Sequence, residues 1–111
     1  MKINDKNIEL DLEGYLIHPE DWNQDVALEL AESENIVLTD EYWSIFNFMR
    51  NYYDEHGVAP DVRHTTKQMV IDFDVDKKSA KSKLFGLFPY GYVKQACKIS
   101  GMKRPRGWST G

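Results

Sequence analysis

The chain holds one cysteine, Cys97, in the stretch Lys94-Gln95-Ala96-Cys97-Lys98-Ile99-Ser100-Gly101-Met102-Lys103-Arg104-Pro105. The thiolate, not the thiol, is the nucleophile, and neighbouring cations favour it. Lys94 lies one helical turn before Cys97 and is placed to support a thiolate, while Lys98 points elsewhere and adds a weaker field. On an α-helix, at ~100° per residue, Tyr92, Ala96 and Ile99 share a buried face. Cys97 then falls at the edge of the helix, reachable from solvent. The negative pole at the end of the helix works against an anion there. The competing reading is a small buried hydrophobe, a common fate of free cysteine.

Two further groups of residues bear on partners. Lys103-Arg104-Pro105-Arg106-Gly107-Trp108 mixes cations, a proline and an aromatic. With Lys98, this suits an arm that docks into an acidic groove with Trp108 as anchor, or that stacks on a base. A solvated terminus is the plain alternative. The second and third helices, joined by Gly57-Val58-Ala59-Pro60, also fit a helix-turn-helix unit exposing Arg63, His64 and Lys67. Most such pairs are simple packing. His18, His56 and His64 form no metal-ligand pattern with Cys97. Asp72, Asp74 and Asp76 lack the glycine and closing glutamate of a calcium loop. No metal, no cofactor and no self-contained active site are expected.

The elements that must position these residues follow from pattern and composition. The 111 residues include 14 aromatics, enough for one core, so a single domain over 1–111 is expected. Its parts are a hairpin at 1–17, a helical bundle at 18–100 and an arm at 101–111. Nothing resembles a membrane span or a signal peptide, and one cysteine gives no internal disulfide. A cytoplasmic protein is expected. Residues 1–60 carry 3 Lys/Arg against 14 Asp/Glu, and residues 61–111 carry 11 against 4. Either the two halves neutralise each other across the fold, or a basic side attracts acidic surfaces or nucleic acid.

Asn4-Asp5-Lys6-Asn7 is turn chemistry between short alternating runs and predicts a β-hairpin, with a further bend at Glu13-Gly14-Tyr15. His18-Pro19 predicts the start of a first helix with Trp22, Val26 and Leu30 on its inner face. Thr39 predicts a capping hydroxyl for a second helix, whose stripe Tyr42, Ile45, Phe46, Met49, Tyr52 and Tyr53 marks the central core element. Gly57 ends it. Pro60-Asp61 opens a third helix with Val62, Thr66, Met69, Val70 and Phe73 on one side. A fourth carries Ala80, Leu84, Leu87 and Phe88. A fifth runs from about Tyr92 to Ser100, where Gly101 stops it.

These residues resemble the TusE/DsrC/DsvC group of sulfur-relay proteins, which includes the gamma subunit of dissimilatory sulfite reductase. The likeness is strongest in Lys94-Gln95-Ala96-Cys97-Lys98-Ile99-Ser100-Gly101 and in Leu87-Phe88-Pro89-Tyr90-Gly91. It extends to Gly14-Tyr15-Leu16, Leu38-Thr39, Trp43, Phe48, Arg50, Tyr53, Pro60, Arg63 and Lys67. The resemblance implies an α+β, mainly α fold: a small orthogonal bundle of about five helices with an N-terminal β-hairpin and a flexible C-terminal arm. It implies a sulfurtransferase-type carrier rather than a self-contained enzyme. In the family the main reactive cysteine lies on the arm, and a second, present in some members, lies eleven positions earlier. Cys97 matches the earlier one, and Trp108 stands where the arm cysteine belongs. Tyr92 replaces a usual proline.

The expected function is therefore passage of persulfide sulfur between proteins through Cys97, in tRNA thiolation, sulfur oxidation or sulfite-reductase traffic. The expected partners are other sulfur-relay proteins, a sulfite reductase or a tRNA-modifying enzyme, with no membrane. The alternative is a non-catalytic adaptor or regulator of the same family, with DNA as a less favoured partner through Arg63, His64 and Lys67.

Overall fold

The computed structural model describes residues 1–105; Arg106 and Trp108 of the expected arm lie outside them. Strands β1 (Lys2–Ile3) and β2 (Lys6–Asn7) pair antiparallel, Lys2 opposite Asn7. The two residues between them, Asn4 and Asp5, have φ of 53° and 66°. Asn and Asp tolerate this conformation best after glycine, and it matches the twist of a tight hairpin. A second reversal follows. The Asp11 carboxylate accepts from the Glu13 and Tyr15 amides, Gly14 turns at φ 91°, and Leu10 bridges to Leu16.

The expected first helix is split in two. Pro19–Asp21 makes a single 3₁₀ turn, the chain extends at Trp22, and α1 (Gln24–Ser33) starts afresh. The Asn23 side chain accepts from the Val26 amide, so asparagine, not proline, sets this start. The break frees Trp22 to reach across the molecule. α2 (Asp40–His56) is the central element, burying Tyr42, Ile45, Phe46 and Met49 as its periodicity predicts. Thr39 stands at its start, but its hydroxyl makes no capping bond. Gly57, at φ 73°, closes it.

α3 (Val62–Phe73) is capped by Asp61 and α4 (Lys77–Leu87) by Asp76. In each case the carboxylate accepts a backbone amide one turn on, which holds the acid below its usual range. α3 buries Thr65, Thr66 and Met69, and α4 buries Ala80 and Leu84. The fifth helix, Tyr92–Cys97, is a π-helix rather than an α-helix. One buried cluster takes residues from β1, all four α-helices and the π-helix, including Ile3, Leu30, Phe46, Met69, Leu84, Phe88, Tyr92 and Cys97. The fold is mainly α: an orthogonal helical bundle with an N-terminal hairpin.

Candidate functional site

Cys97 closes the π-helix and is 0% exposed. This overturns the expectation of a thiol at a solvent-facing edge, and the winding explains why. Hydrogen bonds to i+5 instead of i+4 add residues to each turn, so each residue rotates by roughly 80° instead of ~100°. Five steps of that size bring Cys97 close to the bearing of Tyr92 and turn it inward with Tyr92 and Ala96. Lys94 is carried to the opposite, exposed side.

The surroundings are apolar and phenolic. Burial alone drives the Cys97 thiol far above its ordinary range. Lys94 therefore supplies no thiolate support in this conformation, contrary to expectation. Two tyrosines stand close enough for a charge on Cys97 to raise them further. Tyr15 is pushed up to about 12 and Tyr92 also well upward, burial being the first cause in both. The Tyr15 hydroxyl donates to the Val93 carbonyl at 2.9 Å, tying the hairpin region to the π-helix. The Tyr92 hydroxyl donates to the Pro60 carbonyl at 2.7 Å and meets Thr65 Oγ1 at 2.7 Å. A proline here would lack this link to the start of α3.

The far end of the cysteine segment is held by residues the sequence did not single out for this role. Trp22 Nε1 donates to the Ile99 carbonyl at 2.8 Å. The Arg50 guanidinium donates to the carbonyls of Ser100 (3.2 Å) and Pro19 (2.9 Å) and stacks over Trp22, 4.8 Å from the ring centroid. Gly101 turns at φ 81°, and a Cβ added there would run into Trp22. Gly91 turns at φ 108° at the other end. Gln95, fully buried, donates to Glu34 at 3.3 Å and accepts from the Tyr90 amide at 3.1 Å. The one sequence signal for these contacts was composition: arginine, glutamine and tryptophan bury only with partners.

The expected partner-binding residues divide. Lys98 faces inward: its ammonium lies 3.5 Å from Glu34 and 5.2 Å from the centre of the Tyr15 ring. It is thus already engaged within the fold. Arg104 pairs with Glu13 at 3.2 Å. Exposed Lys103 borders a hollow of about 310 Å³ with Tyr53, Gly57 and Met102. Arg63, His64 and Lys67 are exposed together on α3, and His64 Nδ1 lies 2.7 Å from its Asp61 cap. Among the described residues no His, Cys, Asp or Glu group is arranged to hold a metal, and no helix is long and apolar enough to cross a membrane.

Comparison with known proteins accounts for this architecture. The family described as "DsrC like protein" matches residues 2–108. The chain is 38% identical to the "Sulfurtransferase TusE homolog" of Haemophilus influenzae over 95% of both chains. It is 39% identical to "Sulfurtransferase TusE" of Escherichia coli K12, over 90% of this chain and 91% of that one. Among solved structures, it is similar to Allochromatium vinosum DsrC with a TM-score of 0.84 and 40% identity, covering 97% of this chain and 96% of the other. It is also similar to the oxidized gamma subunit of the Archaeoglobus fulgidus dissimilatory sulfite reductase, with a TM-score of 0.83 and 33% identity over 96% of each. A hairpin, an orthogonal bundle and a Lys-Gln-Ala-Cys-Lys-Ile helix, matched over nearly the whole length, leave one conclusion: the chain belongs to the DsrC-like family.

Proposed function

We propose that this protein is a sulfur-relay carrier, passing sulfane sulfur between proteins through Cys97. What supports the reading is family membership over nearly the whole chain, joined to the presence of a single thiol, Cys97. The transfer is a displacement. The Cys97 thiol loses its proton to solvent, and the thiolate attacks the outer sulfur of a donor persulfide. The donor's S–S bond breaks, its thiolate leaves, and Cys97 carries the persulfide with no net oxidation. The second half repeats this with an acceptor thiolate attacking the terminal sulfur. Burial makes exposure of Cys97 the first step, since neither donor nor acceptor reaches a sealed sulfur.

The partners follow the names of the relatives: other sulfur-relay proteins or a sulfite reductase. A tRNA-thiolating enzyme downstream, and a cytoplasmic setting, are the finer form of the same proposal. Arg104 and Lys103, with Arg106 and Trp108, would meet the partner, while Lys98 is held within the fold.

Burial of Cys97 favours a second reading, an adaptor of the family that docks without carrying sulfur. Intact mass after incubation with a small-molecule persulfide donor separates the two. A gain of about 32 Da, absent in Cys97→Ser and removed by a thiol acceptor, is expected of the carrier. Failure of the folded protein to gain mass, when the urea-unfolded chain does, would establish the adaptor.

A further inference from the structure

The outer faces of α3 and α4 carry a feature that sulfur transfer does not use. Arg63, His64, Lys67, Val70, Ile71 and Lys77 line a hollow of about 640 Å³. A second hollow of about 390 Å³ is lined by Val62, Thr66, Lys81 and Phe85, and again by Arg63 and Lys77. Arg63 and Lys77 line both hollows, which therefore adjoin along the α3–α4 seam, here called the groove. On α3, Arg63, Lys67 and Ile71 follow at four-residue steps, as do Lys77, Lys81 and Phe85 on α4, so each helix gives one stripe to the groove.

Three properties define what fits. First, no Asp or Glu lines either hollow. Asp61 caps α3 and holds His64, Asp76 caps α4, and Asp72 accepts from Gln68. Second, Arg63, Lys67, Lys77 and Lys81 form no ion pair among the described residues. By contrast, Lys83 on another face of α4 pairs with Glu41. Third, the floor is apolar and open: Ile71 is 69% exposed and Phe85 37%. Four cations that make no ion pair, with the Asp61 near Arg63 already committed to the α3 cap, stand around exposed apolar side chains and call for an anionic partner that also has apolar groups to bury.

We infer that the α3–α4 groove docks an acidic segment of a partner protein, its carboxylates on Arg63, Lys67, Lys77 and Lys81 and its apolar groups against Ile71 in one hollow and Phe85 in the other. Charge and shape favour protein over nucleic acid. The whole chain is at −4, with 14 acids in residues 1–60, so an extended polyanion meets repulsion beyond the groove. A phosphate backbone also leaves Ile71 and Phe85 uncovered, whereas an amphipathic helix laid in a groove covers them. Arg63, His64 and Lys67, the candidate nucleic-acid contacts in the sequence, thus form one wall of this groove. The surface stands independently of whether Cys97 carries sulfur.

The test uses the full chain, labelled with ¹⁵N, and a synthetic peptide with glutamates on one helical face and leucines on the other. Titration is expected to saturate and to shift the amides of Lys67, Ile71, Lys77, Lys81 and Phe85. Lys67→Glu/Lys77→Glu, with unchanged circular dichroism, should weaken binding at least about tenfold, and Lys67→Arg/Lys77→Arg should restore it. Ile71→Ser should weaken binding with no change of charge. Raising salt from about 50 mM to about 500 mM should weaken the wild type more than the charge-reversed variant. The proposal is overturned by an absence of saturation, or by shifts centred outside the groove. Equal binding of a peptide with its leucines replaced by serine overturns it as well. So does tighter binding of duplex DNA at the same amides, or self-association of the chain through this face.

Discussion

A sulfur atom sealed among apolar groups and phenols leaves a signature in the pH dependence of stability. The Cys97 thiol is raised in the folded state above its unfolded value of about 8.5. A group raised by folding contributes its full stability below the unfolded value and loses it as pH rises toward the folded one. Urea titrations from about pH 7 to about pH 9.5 should therefore show Cys97→Ala losing its disadvantage against wild type above about pH 8.5, by up to about 1.4 kcal/mol per pH unit. A difference that stays flat across that window would mean that Cys97 is not sealed. Tyr15 and Tyr92 are raised too, but their unfolded values near 10 place their effect higher. Cys97 stood out in the sequence because it is the single thiol of the chain. Its burial was not, because the helical wheel assumes a turn angle that this segment does not have. Lys98 misled for a related reason: a lysine next to a cysteine reads as a free cation until Glu34, 64 positions earlier, is found beside it.

At the scale of elements, two glycines separate backbone strain from steric exclusion. Gly57 ends α2 at φ 73° with open space where a Cβ would go, while Gly101 turns at φ 81° with Trp22 in that space. Gly57→Ala should cost about 1 kcal/mol, the strain of a left-handed residue. Gly101→Ala should cost about 3 kcal/mol, since Trp22 must move and its bond to Ile99 loosen. Denaturant midpoints check both; equal losses would show that Trp22 gives way freely. The long stripe of α2 and the Asp61 start of α3 were readable, because a periodic face and a capping acid act locally. The break at Trp22–Asn23 was not. Trp22 sits four residues before Val26 and so reads as helix, and only the distant Ile99 carbonyl and Arg50 explain its departure from it.

Across the whole molecule, the acidic and basic halves meet through named pairs: Glu13 with Arg104, Glu34 with Lys98 and Glu41 with Lys83. The expectation that the halves neutralise each other therefore holds in part. These bridges neutralise charge across the fold, and α3 and α4 keep a surplus on their outer side. Tyr15 joins the hairpin region to the cysteine segment over 78 positions. Tyr15→Phe should cost about 1 kcal/mol and speed alkylation of Cys97 severalfold, because the hydroxyl helps to hold that segment closed. Iodoacetamide labelling followed by mass spectrometry reads it directly; an unchanged rate would mean that the segment opens without parting from Tyr15. The hairpin was visible in Asn4-Asp5, but contacts of this span depend on where the chain returns, which no local pattern encodes.

The wide winding of Tyr92–Cys97 has a consequence for how such a sulfur could be brought to the surface over evolutionary time. Losing one amino acid from the segment does not do it, because four steps of ~100° cover the same arc as five of roughly 80° and leave the thiol facing inward. At unchanged length, a tighter coil carries the thiol about 100° further round the axis. Replacements that favour the ordinary coil, rather than deletions, are thus the genetic events to which exposure of this thiol responds most directly.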